Sequence, residues 1–184
     1  MARTSLTRTV LDVARVLPLE HAVVVADAPL AARGTSVQAL ASAADAMRRW
    51  PGIASARRVL QLADGRAESA GESLARVLLI ALGYGHVEPQ AHLRGSSGQR
   101  YRVDLLVDGL VVVEFDGRVK YADPHLLRGR EPADVLRAEK RREQDLEDAG
   151  WQVVRLEWRD LFDPEAVRRK VDAALARARR ARAS

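Results

Sequence analysis

Residues 101–117, YRVDLLVDGLVVVEFDG, read as two apolar strands joined by a glycine-containing turn. Each strand carries acid where a buried sheet ordinarily has Val or Leu: Asp104 in the first strand, and Glu114 and Asp116 at the end of the second. An ionised carboxylate in a mostly buried sheet is costly unless a positive or hydrogen-bonding group meets it. Divalent metal is a common reason to gather several carboxylates, because hard cations such as Mg²⁺ prefer oxygen ligands. The stretch therefore predicts a metal-dependent hydrolytic site.

The length of the turn decides whether the acids share a face of the sheet. A two-residue turn at 108–109 would leave Asp104 and Glu114 on opposite faces, because a one-residue change of register moves every side chain to the other side. A three-residue loop at 107–109 pairs Asp104 with Val112 and keeps the three acids on one face. We favour the second register. Both faces are then largely apolar, which predicts helices on both sides of the sheet.

The composition limits the class of protein. With 184 residues, 47% of them hydrophobic, the chain can bury a core of its own. No apolar run reaches the roughly 18 residues of a membrane-spanning helix, and the N-terminus lacks the apolar segment of a secretory signal. We therefore expect a cytoplasmic protein with no membrane partner. The absence of cysteine excludes disulfides and thiolate zinc sites, and the histidines show no close metal-ligand spacing.

The charge balance is basic. A formal net charge of +5 and a sequence pI near 10.2 suit an anionic partner such as nucleic acid. The same excess can arise from a GC-rich coding sequence, because Ala and Arg are frequent throughout while lysine occurs only at Lys120, Lys140 and Lys170. Charge alone leaves both explanations open.

The order of predicted elements divides the chain in two. Residues 1–66 are predicted to be a helical packing or interaction region, with helices at 6–17, 19–33, 36–49 and 53–63. Residues 67–184 are predicted to form a second domain, with a helix at 69–82, a strand at 86–93, the acidic hairpin, a helix at 133–149, a strand at 151–158 and a helix from 164 to about 178, beyond which we expect fraying. In the helix at 133–149, Val135, Leu136 and Leu146 are expected to face inward. This order predicts an α/β sandwich on a mixed four-stranded sheet flanked by helices, with an N-terminal helical extension.

Each acid also has a structural interpretation. Glu68 and Glu72 share a face near the start of the helix at 69–82, where acids also favour the positive end of the helix dipole. Asp104 and Glu114 could instead be structural acids paired with Arg102 or Arg76. The Asp-Gly pair at 116–117 could simply be a turn that ends the strand.

Six short pieces within residues 68–161 together resemble the PD-(D/E)XK nuclease superfamily, in particular a branch related to the very-short-patch-repair endonucleases. In order along the chain they are Glu68-Ser69-Ala70-Gly71-Glu72, Arg102-Val103-Asp104, Val113-Glu114-Phe115-Asp116-Gly117, Lys120-Tyr121, Glu139-Lys140-Arg141-Arg142 and Gly150-Trp151-Gln152-Val153-Val154-Arg155. The resemblance covers about half of the chain. Residues 7–66 also resemble the segment that precedes this domain in actinobacterial proteins of the abortive-infection antitoxin or regulator type. Longer members of that group begin with a winged helix-turn-helix, which this sequence lacks, so we expect a short version or a fragment.

The resemblance implies a restriction-endonuclease-like fold and metal-dependent hydrolysis of DNA phosphodiesters, in phage defence or DNA repair. It implies that Asp104 and Glu114 are catalytic and bind Mg²⁺ or Mn²⁺. It further implies that Glu72 or Glu68 completes the metal shell, and that Asp116 would join a site holding two metals.

One position departs from the superfamily pattern. The residue two after Glu114 should be lysine and is Asp116. Lys120, just past the strand, is our first candidate for the missing catalytic cation, and Lys140 on the following helix is the second.

The expected partner is DNA, with RNA left open. The residues expected to contact nucleic acid are Arg102, Tyr121, Arg137, Lys140 and Arg141. A homodimer would supply the two sites that cutting both strands requires. The alternative function is a catalytically inactive nucleic-acid-binding regulator, or antitoxin-like component, that keeps the nuclease scaffold.

Overall fold

A computed structural model describes residues 4–117 and 132–183 of the chain. The chain divides into two compact units, Met1–Leu78 and Leu79–Ser184, which we call the helical unit and the sheet unit. The sequence places the boundary between residues 66 and 67, whereas the contacts place it inside the fifth helix. None of the helices in the described ranges combines the length and apolarity needed to cross a membrane.

The helical unit is built from the predicted helices, each slightly shorter than its sequence pattern. They are α1 (Leu6–Ala14), α2 (Leu19–Ala31), α3 (Val37–Ala46), α4 (Ile53–Leu62) and the first part of α5 (Ala70–Ala81). Serine caps begin α1 and α3, because the Ser5 and Ser36 hydroxyls accept hydrogen bonds from the backbone N–H groups three residues later, at 3.2 and 3.1 Å. The short valine run of residues 23–25 is helical, as its alanine-rich flanks predict.

One apolar cluster holds this unit together. Its buried members come from every helix of the unit and include Leu11, Val23, Leu40, Val59 and Val77, each at most 4% exposed. These residues recur at helical spacing along their segments, so each helix presents one apolar stripe to the shared core.

The sheet unit contains the predicted mixed sheet of four strands, β1 (Val87–Arg94), β2 (Arg100–Val107), β3 (Val111–Asp116) and β4 (Gln152–Glu157). The strands lie in the order β1-β2-β3-β4, with β1, β2 and β3 antiparallel and β4 parallel to β3. The connection from β3 to β4 contains α6 (Pro132–Asp148), and β4 leads through a short 3-10 turn (Asp160–Phe162) into α7 (Pro164–Ala183). The α/β class and the order of elements are confirmed.

Helices contribute to both faces of the sheet. Leu146 of α6 packs in one buried cluster with Leu106, Val112 and the partly buried Val153. Leu136, also expected to point inward, is 45% exposed and that expectation was wrong. The alternate residues of β3 and β4 are also buried, and α7, which contacts both strands, buries its own apolar stripe. The expected fraying after residue 178 was wrong, because α7 continues to Ala183.

The hairpin closes in a register that differs from both predicted ones. Asp108 and Gly109 both adopt positive φ, 50° and 65°, as in a tight Asp-Gly turn. Leu110 is then an extra residue before the ladder, which pairs Val107 with Val111 and Leu105 with Val113. The predicted pairing of Asp104 with Val112 was therefore wrong by two positions. A two-residue shift preserves which side of β3 each side chain takes, so the acids stay close although the pairing differs.

Candidate active site

Asp104 lies where β2 changes its regular pattern. The ladder between β1 and β2 pairs Pro89 with Leu105 and then Ala91 with Val103, and Gln90 between them has a φ of 55°. Val103 and Leu106, which strict alternation would put on opposite faces, both pack in the cluster under α6. The strand is thus locally distorted around Asp104.

The distortion turns the Asp104 carboxylate towards β3. Its Oδ2 accepts a hydrogen bond from the backbone N–H of Phe115 at 2.9 Å. Phe115 lies between Glu114 and Asp116 in the chain, so the carboxylate of Asp104 meets the second strand at its acidic end. The structure therefore brings Asp104 to the segment that carries both acids of β3.

Glu114 faces α6 and meets an arginine there. Its Oε1 lies 2.7 Å from Nη1 of Arg142, and the two side chains are 17% and 30% exposed. The pair is close but not aligned as a hydrogen bond, because Oε1 is buried and has no hydrogen-bond donor. Nη2 of Arg142 donates instead to the carbonyl of Arg102 at 2.7 Å. The guanidinium thus joins β2 and β3 on the α6 side of the sheet.

A second contact fixes the other side of this arginine. The Arg142 guanidinium lies 5.9 Å from the centre of the Tyr101 ring. A hydrogen bond to the carboxylate of Asp145, one turn along α6, raises the pKa of the Tyr101 phenol. Asp145 also accepts from both hydroxyls of Ser96 and Ser97 and from the Ser97 N–H, and these bonds lower the pKa of its carboxyl. The loop before β2 is thereby tied to the helix that carries Arg142.

Asp116 ends β3 beside another acid. Its partner in the parallel register is Glu157 at the end of β4, whose carboxylate pairs with Arg159 at 3.1 Å. Within residues 4–117 and 132–183, however, no three or more His, Cys, Asp or Glu side chains are grouped so as to hold a metal ion. In the described residues, a metal site at the hairpin would therefore use two carboxylates at most.

Glu68 and Glu72 lie in the helical unit, where Glu72 has a local role. Its Oε2 accepts from the N–H of Glu68 at 2.9 Å, and its Oε1 accepts from the hydroxyl of Ser69 at 2.8 Å. Ser69 in turn accepts from the Glu72 N–H at 3.1 Å, so the two side chains together cap the start of α5. Glu72 therefore caps the helix terminus at which the sequence allowed a helix-dipole role, and its role as a metal ligand stays a prediction.

The basic residues expected to contact nucleic acid have separate positions. Arg102 is exposed on β2, and Arg137, Lys140 and Arg141 are exposed along α6, with Arg137 paired to Asp134 at 3.3 Å. Lys140 precedes Arg142 by two residues, about 200° around a helix, so it projects away from Glu114. Lys120 and Tyr121 lie outside the described residues.

Sequence reasoning missed Arg142 as the partner of Glu114. The spacing does indicate that Arg142 faces the sheet, because it lies four residues before Leu146 and positions i and i+4 share a helix face, but it does not identify Glu114 as the partner. Arg76 was considered as a partner for the acids of the hairpin. The structure pairs it with Asp27 instead.

Asp27 and Arg76 form a buried polar network within the helical unit. They are 2% and 4% exposed, and Nη2 of Arg76 lies 2.9 Å from Oδ2 of Asp27. Asp27 also accepts from the Ser73 hydroxyl and the Asp64 N–H, both at 2.7 Å. Burial raises the pKa of Asp27, against the opposing effect of these hydrogen bonds and of Arg76. A cleft of about 450 Å³ reaches Asp27 and Ser73 and has Glu68 in its wall.

Comparison with known proteins gives relatives without a stated activity. The chain is 34% identical over 147 residues to the uncharacterized proteins MT2308 and Rv2248 from two strains of Mycobacterium tuberculosis. The alignment covers 79% of this chain and 51% of each relative, so the chain spans about half the length of the curated relatives it matches. No family model and no solved structure matches the chain.

Proposed function

We propose that the sheet unit is a restriction-endonuclease-like nuclease domain that hydrolyses DNA phosphodiesters with Mg²⁺ or Mn²⁺. The observation that carries the proposal is the 2.9 Å hydrogen bond from the Phe115 N–H to Asp104 at a distortion of β2. A carboxylate displaced from regular strand geometry towards two more acids is costly for a sheet that only needs to be stable. Local irregularity of this kind is common beside active sites, where it re-aims a side chain.

The donor set fits a hard divalent cation. Asp104 and Glu114 offer carboxylate oxygens, and Oε1 of Glu114 is buried without a hydrogen-bond donor. Mg²⁺ is usually held by one or two protein carboxylates, with water and substrate phosphate as the other ligands, so two acids suffice. When bound, such a metal lowers the pKa of a water and offsets charge on the reacting phosphate.

Arg142 supplies the positive charge that the departure at Asp116 removes. Its guanidinium is held by Glu114, by the carbonyl of Arg102 and by the ring of Tyr101. A fixed cation beside the acids can stabilise negative charge that develops on a phosphate oxygen. Asp104 and Glu114 would hold the metal, and Arg142 would orient Glu114 and stabilise negative charge on the scissile phosphate.

The second candidate is an inactive regulator that binds nucleic acid on the same scaffold. The observation in its favour is the same Glu114–Arg142 ion pair. Because arginine already compensates the charge of Glu114, this carboxylate can have a purely structural role without a metal ion. The two candidates differ in one measurable property, which is whether bound DNA is cut.

The test uses supercoiled plasmid with Mg²⁺, Mn²⁺ or EDTA and conservative variants of the two acids. Asp104→Asn keeps an acceptor for the Phe115 N–H, and Glu114→Gln keeps the side-chain shape, so both should fold. Asp108→Asn is the matched control, because it lies in the same hairpin and Asn tolerates the positive φ of 50° at that position.

We expect metal-dependent nicking by the unmodified chain and by Asp108→Asn, and a loss of about 100-fold or more in the other two variants, as removal of metal-site groups typically causes. Cleavage that survives unchanged in both Asp104→Asn and Glu114→Gln would refute the proposed site. Binding of the plasmid with no cleavage under any metal condition would favour the regulator.

A further inference from the structure

We propose that a groove between β4 and α7 binds the phosphate backbone of a DNA duplex, outside the acidic site. The groove has a volume of about 360 Å³ and is lined by Val153, Val154, Arg155, Lys170, Ala173 and Arg177. Among the described strands β4 is the last in the sheet, so the groove runs along the edge of the sheet. The inference rests on the proposed function, because it assigns a contact surface for the same substrate.

The helix that forms one wall of this groove is strongly basic, and two of its cations, Lys170 and Arg177, line the groove. α7 carries seven arginines and lysines against two acids, Glu165 and Asp172, which gives it a net charge of +5, equal to that of the whole chain. An excess confined to one element is poorly explained by coding composition, which would spread it evenly. A basic stripe along a single helix is instead typical of a nucleic-acid contact.

The three cations of the groove have donors to spare. Arg177 donates its Nε to the neutral amide of Gln152 at 2.8 Å, so its charge is not neutralised there. Arg155 and Lys170 pair with Glu143 and Asp160 at 2.6 and 2.8 Å, and remain 38% and 40% exposed. Each of those two ion pairs uses one N–H donor, whereas a lysine side chain has three such donors and an arginine side chain has five.

The spacing suits a DNA strand. Lys170 and Arg177 are seven residues apart on one face of α7, about 10.5 Å along the axis at about 1.5 Å per residue. That length corresponds to about three base-pair steps along a duplex axis, at about 3.4 Å of rise per phosphate of one strand. Arg155 is the register partner of Glu114, so the groove begins one strand away from the acidic site. A duplex whose phosphate backbone contacts the groove would pass beside the carboxylates proposed to cut it.

The test measures binding of a fluorescently labelled DNA duplex by anisotropy in EDTA, over a series of salt concentrations. The groove variant is Arg155→Gln with Arg177→Gln. The matched control is Arg169→Gln with Arg179→Gln, which removes the same charge from α7 outside the groove. Thermal unfolding of both checks that each is folded.

We expect the groove variant to bind about tenfold or more weaker, and the slope of log K against log salt to fall by about 1.8, two phosphate contacts at about 0.9 each. The control should change affinity by less than about threefold. Equal losses in the two variants would show that only net charge matters and would overturn the proposal. The proposal would also be overturned if the groove variant lost binding to polyglutamate but kept its binding to the duplex. The groove would then suit an acidic peptide.

The result is separable from the proposed function. Duplex binding that depends on the groove, without any cleavage under metal, refutes the nuclease and keeps the groove. If the chain cleaves DNA and the groove variant binds duplex with unaltered affinity, the groove is refuted and the nuclease is kept. Failure of the unmodified chain to bind duplex in EDTA refutes the groove, and the plasmid assay with Mg²⁺ or Mn²⁺ then decides the nuclease separately.

Discussion

Replacement of Asp27 by Ala should destabilise the helical unit more than any exposed charge substitution. Asp27 accepts hydrogen bonds from Ser73, Arg76 and the Asp64 N–H at 2.7, 2.9 and 2.7 Å, and it is 2% exposed. Its removal leaves the 4% exposed guanidinium of Arg76 without its carboxylate. Breaking a buried ion pair by removing one partner costs about 3–5 kcal/mol, because the remaining charge is uncompensated.

Urea unfolding followed by circular dichroism measures this cost. With an m-value of about 2 kcal/mol per molar, a loss of 4 kcal/mol lowers the midpoint by about 2 M. Asp12→Ala is the control, because Asp12 pairs with Arg8 and Arg15 at the surface and is 36% exposed. Such pairs contribute less than about 1 kcal/mol. If the two alanine variants unfold at midpoints that agree within error, the buried network does not stabilise the unit as argued.

The pH dependence of the same site has a defined sign. Burial raises the pKa of Asp27 in the folded state. The Asp27 carboxyl of the folded chain then binds a proton more readily than that of the unfolded chain. The contribution of this proton binding to stability is fully present below the unfolded pKa of about 3.9, and it is lost as pH rises through the folded pKa. Asp27→Asn does not titrate, so its deficit relative to the unmodified chain should grow towards acid pH. A deficit that shrinks on acidification would contradict the assigned direction.

Three further outcomes follow from the sheet unit. Arg142→Gln should lower plasmid cleavage by about 10–100-fold, as loss of a group supporting a metal ligand does. Lys140→Gln, on the opposite face of α6, should leave cleavage unchanged. Equal effects of the two substitutions would show that Arg142 is not part of the site. Gly109→Ala should lower the free energy of unfolding by about 1–2 kcal/mol, because φ is 65° at that position. Gly117→Ala should change it little. An added Cβ would meet nothing within 4 Å at either position, so the two variants differ in backbone strain alone. Asp145→Asn should lower the melting temperature at neutral pH, and its difference from the unmodified chain should narrow below about pH 4. The reason is that the pKa of Asp145 is lowered in the folded state, so its contribution to stability disappears as the carboxyl protonates. A difference in melting temperature that stays constant with pH would argue against that coupling.

The sequence by itself determined the elements of the fold. Apolar alternation around the Asp-Gly turn predicted the hairpin, and helical spacing predicted α1 to α7 in order. The presence of acids in the hairpin was equally visible, because an unusual residue in a buried strand pattern needs no partner to be noticed. These signals are local, since each depends on residues within one or two turns or along one strand.

Tertiary structure decided the pairings. Arg142 reaches Glu114 across 28 positions and Arg76 reaches Asp27 across 49, and no periodicity within either segment names its partner. The register of the hairpin also depended on one extra residue, Leu110, which the turn chemistry alone did not require. Charge pairing and register are fixed by which surfaces the folded chain buries against each other, and that information exists only once distant segments are packed.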